Sequence, residues 1–206
     1  MSVFIGKGGR ALSLSVAAAL VAVFAGAAAA QHIWTFTDGR DGHKYKTVRI
    51  GKHWWMAENL NYQTESGSWC GENKDSNCKK YGRLYEWNAA KCPDGWHMPS
   101  IQEWEVLVAT AGGFDHAAKK LKSKSGWNEK GASTDNYGFS ALPGGWRDIR
   151  GDFFLKRNEG LWWTATEVNE GAAAYYVLMY NKSGKVDVLD DGDKKKGHSV
   201  RCVKEN

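Results

Sequence analysis

Apolar and polar positions change period several times along this chain, and each change marks an element. Ala11 to Phe24 is an apolar run behind Lys7 and Arg10, and Ala28-Ala29-Ala30 precedes Gln31. The run is shorter and richer in Ala than the roughly 20 apolar residues of a membrane helix. Small residues at its end suit a signal peptidase, so residues 1–30 read as a signal peptide, with an uncleaved anchor as the alternative. Residues 31–44 form a polar lead-in with turn signals at Asp38-Gly39 and Asp41-Gly42, and a first strand from Ile33 to Thr37. Alternation over Tyr45 to Ile50, the Gly51-Lys52 pair and then His53 to Met56 predict strand, tight turn, strand. Residues 63–80 read as a polar loop, and Leu84, Tyr85, Trp87 and Asn88 predict a short helix from Tyr81 to Ala90.

The clearest helix is predicted over 100–111. Ser100 and Glu103 form a capping-box pattern, Ile101, Trp104, Leu107, Val108 and Ala111 share one face, and Gly112-Gly113 stops it. A weaker basic helix follows over 115–124. Residues 125–160 are rich in Gly, Asn and Asp and hold Trp127, Phe139 and Trp146. A stretch that long implies short irregular strands packed by aromatics, or a functional loop region. Strand patterns return at Leu161 to Glu167, Ala174 to Tyr180, Val186 to Leu189 and His198 to Lys204. In each Trp pair, Trp54-Trp55 and Trp162-Trp163, strand alternation points one ring inward and one outward. No internal repeat is visible, and the fold class is α+β.

Without the leader, 176 of the 206 residues are left, enough for one domain with a sizeable core. The leader removes two basic residues, so the net charge falls from +5 to +3. The basic residues are scattered, and Lys194-Lys195-Lys196 is offset by Asp190, Asp191 and Asp193, so nucleic acid is not an expected partner. Four cysteines in an exported chain read as two disulfides. Three connectivities are open, and the favoured one joins Cys70 to Cys78 and Cys92 to Cys202; free buried thiols are the alternative. A bridge as long as the second stabilises by about 4–5 kcal/mol in the chain-entropy model. The Cys-x7-Cys and Cys-x13-Cys spacings match no common zinc site.

Several strings, taken together, resemble a known family. They are Thr47-Val48-Arg49-Ile50-Gly51, Trp55-Met56-Ala57-Glu58-Asn59-Leu60-Asn61, Tyr81-Gly82-Arg83-Leu84-Tyr85, and Cys92-Pro93 with Gly95-Trp96-His97-Met98-Pro99-Ser100 and Glu103-Trp104. Asn136 to Gly145, Trp162-Trp163-Thr164-Ala165-Thr166-Glu167 and Ser199-Val200-Arg201-Cys202-Val203 continue the pattern. Residues 45–204 thereby resemble the Fibrobacter succinogenes major paralogous domain, an exported family without an established activity. That family is similar in pattern to the C-type-lectin-like fold shared with the formylglycine-generating enzymes. The resemblance implies a C-type-lectin-like mixed fold of short helices, twisted antiparallel strands and a long loop-rich region. It implies neither lectin activity nor catalysis.

The residues weaken several chemistries. Formylglycine-type oxidation needs a reactive cysteine pair before the final strand, and no cysteine lies between Cys92 and Cys202. Asp187, Asp190, Asp191 and Asp193 could line a cation loop, but they lack the EF-hand spacing, so a solvated acidic turn is the plainer account. Gly-x-Ser-x-Gly and His-Glu-x-x-His are absent, and the six histidines are scattered. Glu58, Glu86, Glu103 and Glu167 could supply a glycosidase pair, though Glu103 is already used as a cap. His97 and His198 read as structural, hydrogen-bonded histidines.

Eleven Trp and eight Tyr are the functional lead. Their faces stack on the apolar C–H face of a pyranose and give rigid contact area at interfaces. Core filling competes for the same residues. The expected binding surface comprises Trp127, Trp146, Arg147, Tyr176 and Tyr180. The expectation is an exported, non-catalytic binding module, at the periplasm, cell surface or outside the cell. Its partner would be a polysaccharide or an envelope protein, with no cofactor, no metal and no membrane span after signal cleavage. A structural scaffold of the cell envelope is the second reading, and an undetected enzyme the third.

Overall fold

The structure is a computed structural model that describes residues 33–128, 133–154, 156–168 and 173–205. The expected signal peptide, 1–30, lies outside the described residues. Strands β1 (Ile33–Thr37), β2 (Lys44–Ile50) and β3 (His53–Met56) form an antiparallel meander. Gly51 turns β2 into β3 at a φ of +63°, in the left-handed region that glycine enters without penalty. β4 (Ser68–Cys70), α1 (Asp75–Tyr81) and β5 (Arg83–Tyr85) follow, then α2 (Ile101–Thr110) and α3 (Ala117–Leu121). The loop-rich part holds β6 (Trp146–Arg147) and β7 (Phe153–Phe154). The end of the chain is β8 (Glu159–Glu167), β9 (Ala173–Tyr180), β10 (Val186–Asp193) and β11 (Val203–Lys204).

The strands assemble as one four-stranded sheet ordered β1-β2-β3-β11, one three-stranded sheet ordered β10-β9-β8, and the two-stranded pairs β4-β5 and β6-β7. The fold is mixed α+β, as the sequence pattern predicts. Both disulfides have the favoured connectivity, Cys70–Cys78 and Cys92–Cys202. The second ties β11, the last strand, to the loop before α2 across a separation of 110 residues. Among the described residues, no helix is long and apolar enough to cross a membrane.

Two apolar clusters form the core. Trp55, Trp104, Phe139, Trp162 and Val177 belong to one; Tyr45, Met56, Tyr85, Trp163 and Tyr176 belong to the other. Trp104 of α2 stands 5.1 Å from Trp55 and 6.2 Å from Trp162, ring to ring. α2 begins as its sequence requires, with the Ser100 hydroxyl accepting from Glu103 N and the Glu103 carboxylate accepting from Ser100 N. Two buried cations are hydrogen-bonded by neutral oxygen atoms. Arg201 donates to Asn59 Oδ1 and to the Phe139 and Ser140 carbonyls. Lys122 Nζ donates to the carbonyls of Tyr180, Asn181 and Ser183 and so fastens the turn after β9 to α3.

The structure revises several expected elements. The expected helix over 81–90 is instead β5 and a 3-10 turn at Trp87–Ala89. Gly82, at a φ of +75°, ends α1 and redirects the chain, and Tyr85 then exchanges backbone hydrogen bonds with His198. The expected polar loop 63–80 contains β4 and α1, because the Cys70–Cys78 bridge closes a short helical turn that has few apolar positions of its own. The last strand is shorter than 198–204: residues 198 and 199 make isolated bridges to Tyr85 and Trp162 before β11 pairs with β3. The basic helix is trimmed to Ala117–Leu121. β10 runs on through the acidic residues to Asp193, with an irregularity between Leu189 and Gly192.

Trp162 and Trp163 correct the one-in, one-out expectation. Their rings do point to opposite faces of β8, but each face is covered by a different cluster, and both residues are fully buried. Trp54 and Trp55 follow the expectation more closely, with Trp54 half-buried and Trp55 buried.

Candidate functional site

Trp146 organises the surface that could take a ligand. The β6-β7 hairpin pairs Trp146 with Phe154 and Arg147 with Phe153. Its tip is closed by Asp148 Oδ1, which accepts from the backbone N–H of Arg150 and Asp152, a side-chain turn that Asp favours. Arg147 anchors the hairpin by exchanging backbone bonds with Gly197 at 2.9 and 2.8 Å. Gly145 donates to the Glu159 carbonyl at its base. Gly145 has a φ of +70°, and a Cβ there would overlap the Phe154 carbonyl oxygen and lie 2.7 Å from Lys156 N, so only glycine fits.

Cross-strand pairing brings the Trp146 and Phe154 rings to 4.7 Å at 25°, a stacked pair. Phe154 is exposed and Trp146 half-buried. Lys196 Nζ stands 5.7 Å from the Trp146 ring. Arg147 sits over the Trp69 ring, with its guanidinium carbon 3.9 Å from the ring centroid.

Two cavities border Trp146. One, of about 280 Å³, is lined by Trp146, Phe154, Glu72, Lys156 and Asn158 among others. Its polar edge is set: Glu72 pairs with Lys156 at 2.7 Å and Lys74 at 3.1 Å, and these two bonds hold the Glu72 carboxyl below its ordinary range. The other, of about 160 Å³, is lined by Trp146, Glu159, Leu161, Tyr176, Leu178, Lys196 and His198. Burial raises the Glu159 carboxyl. Burial, with the Lys196 charge adding to it, draws His198 down to about 3, so its imidazole is neutral. His198 stacks on Tyr176 at 4.9 Å and 9° and meets Trp163 edge-on at 4.2 Å. Neither of its ring nitrogens has a hydrogen-bond partner among the described residues.

The five expected binding residues separate into groups. Trp146 and Arg147 sit together on β6, and Tyr176 reaches the smaller cavity with Trp146. Tyr176 is nevertheless buried rather than exposed, because its sheet face is roofed by His198, and its hydroxyl donates to Asp191. Tyr180 is exposed and pairs with Glu159 across β9 and β8, beyond the cavity. Trp127 corrects the expectation most clearly: it is 5 % exposed, donates its indole N–H to the Ala141 carbonyl, and lies 4.9 Å from Lys122 Nζ. It is a core ring that covers the buried lysine.

Glu72, Phe154, Lys156, Glu159 and Lys196 were not legible as site residues. Phe153-Phe154 between turn residues was a usable signal for a second aromatic strand. Glu72 carries no such signal, since only the folded Cys70–Cys78 loop places it beside Lys156. His97 is hydrogen-bonded to Glu103 at 2.7 Å, at the start of α2. Among the described residues, no group of three or more His, Cys, Asp or Glu could hold a metal ion.

Compared with known proteins, residues 48–204 match the family model described as the Fibrobacter succinogenes major domain. No curated protein and no solved structure matches the chain.

Proposed function

From its membership of the Fibrobacter succinogenes major domain family, to which the chain belongs over residues 48–204, we propose that this protein is an exported, non-catalytic binding module of C-type-lectin-like architecture. Its ligand is a polysaccharide, held on the Trp146–Phe154 stack.

The observation that carries this reading is the position of Trp146, stacked on Phe154 and lining two cavities. Each cavity combines aromatic surface with a carboxylate and an ammonium group, Glu72 with Lys156 and Glu159 with Lys196. A sugar ring needs that combination, an apolar face for its C–H groups and polar atoms for its hydroxyls. The two disulfides suit an oxidising compartment, which supports export.

The test is binding of the oxidised protein to cellulose, xylan, pectin and peptidoglycan, followed by Trp fluorescence with and without EDTA. Saturable binding with a fluorescence change that survives EDTA and disappears in Trp146→Ala is the expected result. Absence of binding across the panel sinks the reading.

A second reading, an envelope scaffold, is favoured by one observation. Ile33 and Trp34 are 56 % and 64 % exposed on β1, an edge strand without a charged residue. Under this reading Trp34→Asp abolishes retention by envelope fractions.

A further inference from the structure

The smaller cavity beside Trp146 has a chemical signature of its own. Glu159, Leu161 and Trp163 alternate along one face of β8. β9 sets Leu178 opposite Leu161 and Tyr176 opposite Trp163. The chain returning through Lys196 and His198, together with Trp146 from β6, roofs this face and leaves the cavity of about 160 Å³. Its floor is therefore branched aliphatic, from Leu161 and Leu178. Its polar groups are one carboxylate acceptor, Glu159, and one ammonium donor, Lys196. His198, only 1 % exposed, adds an imidazole whose two nitrogens have no partner among the described residues.

An anionic group placed here meets Glu159, and a cationic group meets Lys196. A bare hydroxyl would pair with Glu159 or Lys196 but would leave the two leucines without an apolar partner. A neutral amide carrying a methyl group meets all three demands. It offers an N–H to the carboxylate, a carbonyl to the ammonium, and the methyl to the leucines.

We infer that the cavity is an acetamido pocket, and that the ligand class is a glycan containing 2-acetamido sugars. The pyranose ring stacks on Trp146, the acetamido methyl rests on Leu161 and Leu178, its N–H donates to Glu159, and its carbonyl accepts from Lys196. The neutral His198 ring, with one donor and one acceptor nitrogen, completes the polar lining on the inner side. The larger cavity, which Trp146 also lines with Glu72, Lys156 and Asn158, takes the neighbouring sugar of the chain. This inference rests on the stacking reading proposed above.

The experiment titrates the oxidised protein with three β-1,4-linked tetrasaccharides, of N-acetylglucosamine, of glucose and of glucosamine, by calorimetry and Trp fluorescence. The N-acetylated ligand is expected to bind about ten-fold or more tightly than either of the others, since its methyl and amide are both read by the pocket. Glu159→Gln and Leu178→Asn should each shrink that preference. Their thermal melts establish that they fold, and the comparison of ligands on the unaltered protein needs neither variant. Equal, Trp146-dependent binding of the N-acetylated and glucose ligands overturns the acetamido pocket and leaves the stacking reading standing. Tighter binding of the glucosamine ligand, or displacement of the N-acetylated ligand by free alanine, overturns it too, because Glu159 would then be holding an ammonium group. No binding by any of the three, with none on the polysaccharide panel, removes the stacking reading and this inference together.

Discussion

His198 shows how a single residue couples the site to stability. Its folded-state pKa is drawn down to about 3 by burial, with Lys196 adding repulsion, against an ordinary value of 6.5. As pH falls below that ordinary value, the unfolded chain takes up a proton that the folded protein refuses. The unfolded state then binds more protons, so stability falls as pH drops from 6.5 toward about 3. Denaturant unfolding at pH 7, 5 and 4 should show this decline, and His198→Phe, which keeps the aromatic contacts with Tyr176 and Trp163, should flatten it. An unchanged slope in the variant would place the acid sensitivity elsewhere. At this scale the sequence was legible in identity and not in cover. Trp127 and Tyr176 are ordinary candidates for a binding surface until Lys122 and His198 are seen packed against them. Those partners lie five and 22 positions away in the chain, and no local periodicity reports the second contact.

Elements with their own start and stop signals were the most legible. α2 carries its capping box, its apolar face and its glycine stop within a dozen residues, and the structure uses all three. Ser100→Ala should cost about 1 kcal/mol by removing the acceptor for Glu103 N, read as a lower thermal midpoint with the ligand preference intact. Elements defined by distant partners were misread. β5 has the composition of a short helix and becomes a strand because β4 and His198 offer it backbone partners. The Trp162-Trp163 alternation was correct as geometry, and the error lay in assuming that one face of β8 is wet. The β6-β7 hairpin depends on one atom-sized gap. Gly145→Ala forces Cβ onto the Phe154 backbone and should detach the hairpin, so glycan binding is lost along with stability. Full binding by a well-folded Gly145→Ala protein would show that the Trp146–Phe154 stack is not the platform.

For the whole molecule, the two disulfides have different tasks. Cys92–Cys202 fastens the final strand to a loop 110 residues earlier. Replacing both of its cysteines with serine should cost about 2–5 kcal/mol, measured by urea unfolding. The Cys70–Cys78 bridge spans a separation of eight positions and holds the loop that carries Glu72 beside Lys156. Its removal should cost less stability and show itself in ligand affinity. The pairing also has a consequence for how the protein is made. In order of synthesis the cysteines are 70, 78, 92 and 202, and each bonds with its immediate neighbour in that order. An oxidant that joins each newly emerged cysteine to the one still waiting reaches the native pattern directly, with nothing to reshuffle. Cys92 alone must wait, as a free thiol, through more than half of the chain. β3 waits over the same interval for β11, its partner on one edge, so strand pairing and oxidation are completed by the same last few residues.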